Sequence, residues 1–138
     1  MRLVLFAAIL AACACAPEPS VGQASETLLD RDWQLAAAGE PAAPIGAAAH
    51  PPTLRLDSKE GRASGFAGCN RFSGAYQLAG ARLSFGPLVS TRMACERGMD
   101  VEGRYLDALG RVSGWSVESG ELVLRGSGAA LRFRAAAP

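Results

Sequence analysis

The feature that most restricts this chain is an alternation of apolar residues at a spacing of two, repeated along its length and broken each time by turn formers. Leu131 and Phe133, set between Arg132 and Arg134, give the clearest instance. The pattern recurs at Trp33/Leu35, Leu54/Leu56, Tyr76/Leu78, Leu83/Phe85, Trp115/Val117 and Leu122/Leu124. Successive side chains of a strand point to opposite faces, so this spacing buries one face of a sheet and wets the other. Between the runs stand residues 58–61 (Ser-Lys-Glu-Gly), 79–80 (Ala-Gly), 118–120 (Glu-Ser-Gly) and 126–128 (Gly-Ser-Gly), short enough to close hairpins. About eight short strands in such a meander predict a mainly β (α+β) fold, a small antiparallel barrel whose closure removes exposed edges.

Residues 99–112 depart from this period. Val101, Tyr105, Ala108, Leu109 and Val112 fall on one helical face, with Glu102, Arg104, Asp107 and Arg111 outside it. Asp100 or a neighbour is expected to cap the start, and Gly110 or Gly114 to end it. Gly103 inside the segment costs about 1 kcal/mol relative to Ala, so the helix depends on packing against the sheet. It is expected to cover one end of the barrel, just before the last three strands. Residues 36–52, rich in Ala, Pro and Gly, read as a loop between the first two strands. His50, the sole histidine, reads as an exposed bystander at the end of that loop.

A chain of 138 residues has room for one domain. Its 14 basic and 13 acidic residues leave a net charge of +1, which gives no electrostatic footprint for nucleic acid. The N-terminus carries an address. Arg2 precedes an apolar run, Leu3 to Leu10, too short to span a bilayer, and small residues follow. Leu10-Ala11-Ala12-Cys13 resembles a bacterial lipobox, in which the thiol is acylated and becomes the new N-terminus. Cys15 is the competing position but lacks a branched apolar residue three places upstream, and an ordinary cleaved signal peptide is the plainer alternative. The expected layout is a signal peptide over 1–12, a flexible tether over 13–27 and a folded domain over 28–138. Two or three acyl chains, at about 0.8 kcal/mol per buried CH₂, would moor the protein to a membrane surface without embedding it. Ala14 after the lipidated cysteine points, by analogy with Gram-negative lipoproteins, to the outer membrane facing the periplasm.

The densest stretch is 65–76, with 83–88 and 90–95 downstream. Gly68-Cys-Asn-Arg-Phe-Ser-Gly74 and Thr91-Arg-Met-Ala-Cys95, with Trp33 and Leu35 ahead and a helix behind, resemble the paired blocks of the META (HslJ-like) domain family. The resemblance covers about residues 28–133. It implies a compact β-barrel-like fold with one helix, in an envelope lipoprotein linked to stress or drug tolerance. It brings no agreed biochemical activity. The block residues Gly68, Asn70, Arg71, Phe72, Gly74, Thr91, Arg92 and Met93 are therefore the candidates for a motif or binding role.

Read without the family, Cys69 and Cys95 of an exported chain are expected to form a disulfide, worth about 3.5 kcal/mol by loop closure. Reactive thiols or a metal site are the competing readings. A metal would call for further Cys or His at ligand spacing, and His50 is remote in sequence. Asn70 is expected to shape a turn through its own backbone. Arg71 and Arg92 are expected to pair with Asp or Glu, or with loop carbonyls. Ser73 and Thr91 have no histidine at triad spacing, and the carboxylate pairs Asp30/Asp32 and Glu96/Asp100 read as solvated or capping groups. An enzyme is not expected, nor a cofactor. The favoured reading is a monomeric, membrane-anchored protein that binds an envelope partner. The alternatives are a carrier of a small apolar ligand, lined by Trp33, Trp115, Tyr76 and Phe66, and an inhibitor or chaperone-like binder of exported proteins.

Overall fold

The computed structural model describes residues 27–137, so the signal segment, Cys13, Cys15 and nearly all of the tether lie outside the described residues. Nine strands follow one another: β1 (Asp32–Ala38), β2 (Thr53–Asp57), β3 (Arg62–Phe66), β4 (Arg71–Ala79), β5 (Arg82–Phe85), β6 (Val89–Ser90), β7 (Val112–Glu118), β8 (Glu121–Gly126) and β9 (Leu131–Ala135). One helix, α1 (Met99–Gly110), separates β6 from β7. All pairings are antiparallel. Around the sheet the order is β1-β2-β3-β4-β5-β7-β8-β9, and β9 returns to β1, which closes the barrel. β6 is additional: among the described residues it pairs with β4 and with no other strand.

The inner face is built from the alternating residues. Trp33, Leu54, Leu56, Leu83, Leu122, Leu124, Leu131 and Phe133 are almost wholly buried in one cluster. The helix adds Tyr105 to it, edge-on to Phe72 and Phe133 at centroid distances of 5.8 and 6.3 Å. Its hydroxyl donates to Thr53 O at 2.9 Å, and burial holds this phenol well above its ordinary pKa. The Trp33 and Trp115 indoles donate to Leu28 O and Gly80 O, so the buried polar tips of both rings are satisfied. Val123 is buried on the opposite face, between Ser116 and Arg132 of the neighbouring strands. That face carries Glu118, which the Arg125 and Ser116 hydrogen bonds hold down to a pKa of about 2.

Several expectations need correction. Val112 opens β7 rather than closing the helix, because the chain turns at Arg111. Gly98, with φ at 102°, stands at the helix start in place of Asp100, and no side chain caps it. Val117 is 43% exposed, although its register with Leu122 places it on the inner-facing row of β7. β3 escaped the alternation because small residues, Ala63 and Gly65, occupy its inward positions. β1 also runs on to Ala38, into the segment read as loop, and residues 45–48 of that segment lie against the helix and its start. There Arg104 Nη1 donates to Ile45 O at 3.0 Å.

Candidate functional site

The two sequence blocks meet the start of α1 at one place. Cys69 and Cys95 form a disulfide with 5.9 Å between their Cα atoms, which staples the turn before β4 to the segment after β6. Beside it Asn70 is 2% exposed and works as a hub. Its Oδ1 accepts from Met93 N (2.7 Å) and from the Thr91 hydroxyl (3.1 Å). Its Nδ2 donates to Met93 O (3.1 Å) and Glu102 Oε1 (3.2 Å), and its backbone N–H donates to Glu102 Oε2 (2.6 Å). The oxygen of the Asn70 amide therefore serves residues 91 and 93, and its nitrogen bridges Met93 to Glu102. Residues 68–70 form the expected turn between β3 and β4, closed by Ala67 N donating to Asn70 O (2.8 Å), but the left-handed position is Gly68, with φ at 118°, and the Asn70 side chain bonds elsewhere. Gly68 and Gly98 stand back to back: a Cβ on Gly98 would lie 2.3 Å from Gly68 O. This contact, with Glu102, docks the helix start onto the first block.

Glu102 was the residue that sequence reasoning placed wrongly. It is 8% exposed and both its oxygens are bonded to Asn70. Its position three residues before Tyr105 and seven before Leu109 puts it on the buried stripe, a signal that its charge concealed.

The candidate residues divide by direction. Phe72 is core, and Gly74 lets β4 pass close to Leu88 and Pro87 O. Gly68, Asn70, the Thr91 hydroxyl and the Met93 backbone hold the blocks together. Arg71, Arg92 and the Met93 side chain face outward. Neither arginine side chain has a partner among the described residues, against the expected ion pairs or carbonyl bonds. Both are therefore available to something else.

Two open grooves flank residues 91–93. One, of about 660 Å³, runs between residues 88–94 and the first turn of α1, with Asn70 and Glu102 beneath and Val89, Met93 and Met99 on its walls. The other, of about 740 Å³, lies between Met93, Arg71, Phe66 and His50. Val89, Met93 and Met99, at 70, 64 and 49% exposure, are the most exposed large apolar residues described, and all three line the first groove. Sequence reasoning had singled out Met93 of these but not Val89 or Met99.

Comparison with known proteins places this geometry. The family model of the META domain matches residues 26–138. The NMR structure of a protein from Burkholderia xenovorans is similar at 33% identity and a TM-score of 0.67, covering 96% of this chain and all of that one. A second NMR structure shares the fold at 24% identity and a TM-score of 0.61, over 80% of this chain and 92% of that one. The crystal structure of a DUF4847 family protein from Bacteroides vulgatus shares it at 12% identity and a TM-score of 0.55, over 80% and 95%. Among curated proteins, none matches.

Proposed function

This chain belongs to the META domain family, and from that premise we propose that it is a non-enzymatic envelope lipoprotein that recognises another envelope component by its surface, in support of stress or drug tolerance. The observation that carries the reading is the contrast between interior and exterior. The barrel is filled by Trp33, Tyr105, Phe133, Leu54, Leu56, Leu83, Leu109, Leu122, Leu124 and Leu131, all at most 1% exposed, which leaves recognition to the outside. There, unpaired Arg92 and the exposed side chains of Val89 and Met93 lie on segment 89–93, which runs into the Cys95 end of the disulfide. A surface held rigid by a covalent link and a buried hub loses little entropy on binding. The apolar-carrier alternative is disfavoured by the same filling, with the Trp33 and Trp115 rings engaged in the core and their N–H groups bonded. An inhibitor or chaperone-like binder of exported proteins would use the same exposed segment and is a special case of surface recognition.

The test is photo-crosslinking from position 93 in intact envelopes, under heat or antibiotic stress. The expected result is a defined protein adduct that disappears when the crosslinker is moved to Gln77, exposed on another part of the barrel. Absence of any adduct at position 93 under both stresses would remove the reading.

A further inference from the structure

Resting on that reading, we propose that the occupant of the groove between β6 and α1 is an extended acidic segment of another exported protein, with alternating apolar residues, that adds to β6 as a further strand. Among the described residues β6 has β4 on one side and no strand on the other. Thr91 N donates to Arg71 O at 3.1 Å, which marks residues 89 and 91 as those whose amides face β4. By antiparallel alternation Ser90, opposite Phe72, turns its N–H and C=O to the free side. Two residues on, Arg92 makes no hydrogen bond with any described residue, so this edge continues past the strand. An open edge of this kind is a template for pairing with another chain.

The groove supplies what strand addition needs besides an edge. Its far wall is the first turn of α1, so a strand laid along β6 is bounded by a helix, with main-chain bonds on one side and side-chain contacts on the other. Val89, Met93 and Met99 offer apolar seats for alternate side chains of the incoming segment, and methionine adapts to varied partners. Charge decides the rest of the chemistry. Arg92, on the wall of the groove, is without an ion-pair partner among the described residues, while Asp100 is paired with Arg104 and the Glu102 carboxylate in the floor is mostly buried with both oxygens accepting from Asn70. The exposed charge on the groove wall is therefore the single cation Arg92, which selects an acidic residue flanking the apolar ones.

The test uses the full chain in detergent micelles and a blocked synthetic peptide alternating glutamate and valine. The expected result is binding that protects the Ser90 amide from hydrogen exchange and shifts the Met93 and Met99 methyl resonances. Methylating alternate peptide nitrogens should weaken it about tenfold, as should Ser90→Pro, which deletes the outward N–H and leaves the β4-facing amides of residues 89 and 91 in place. An otherwise unchanged amide spectrum reports that this variant folds. Arg92→Glu should shift preference toward a lysine–valine peptide. No binding, indifference to methylation and to Ser90→Pro, or equal binding of the lysine peptide by the unmodified chain would overturn the proposal. So would light scattering that finds the edge occupied by a second copy. Any of these beside a crosslinked partner at position 93 removes strand addition and leaves surface recognition standing.

Discussion

Asn70 illustrates how one buried amide organises a site. It is bonded at both ends of its amide, to residues 91 and 93 on one element and to Glu102 on another. Replacing it removes partners from groups that cannot all regain water. Asn70→Ala is expected to cost about 3 kcal/mol in urea unfolding, since it strands the Met93 backbone and part of a mostly buried carboxylate. The loss should concentrate in the amides of residues 91–95, which NMR exchange will read. Tyr105 is a second case. Its hydroxyl reaches Thr53 O across the barrel mouth, and Tyr105→Phe should cost about 1 kcal/mol with the helix retained by circular dichroism.

Among the elements, the decisive joint is between β4, the segment after β6, and α1. The Cys69–Cys95 bond closes a loop with a sequence separation of 26, worth about 3.5 kcal/mol in the chain-entropy account. Cys69→Ser with Cys95→Ser is expected to lower stability by up to that amount. The eight closed strands should persist, because their hydrophobic cluster does not include either sulfur. Hydrogen exchange should rise first in β6 and residues 91–97. The helix docks by a different device, the Gly68–Gly98 approach, at which a Cβ on Gly98 would collide with Gly68 backbone and one on Gly68 would press on the Val101 side chain. This explains why a start without a side-chain cap is tolerated: tertiary contact replaces the missing local signal.

At the scale of the whole molecule, the closed barrel is preceded by an N-terminal segment outside the described residues. If Cys13 is its lipid anchor, Cys13→Ser should leave the chain unlabelled by palmitate and move it out of the membrane fraction, while Cys15→Ser should change neither. Labelling that follows Cys15 instead would relocate the anchor. The sequence by itself determined the barrel, most of its strands, the buried face of the helix and the sulfur pair. Each of these is written in local periodicity or in residue types whose environment is nearly fixed. Only the tertiary structure decided that Asn70 spans two elements, that Glu102 is buried, that Arg71 and Arg92 are unpaired, and that Val89, Met93 and Met99 share one groove. Those facts depend on which distant residues the closed sheet brings within hydrogen-bond reach. A one-dimensional pattern carries the direction of a side chain, but the identity of what it meets is set by the fold's long-range pairings.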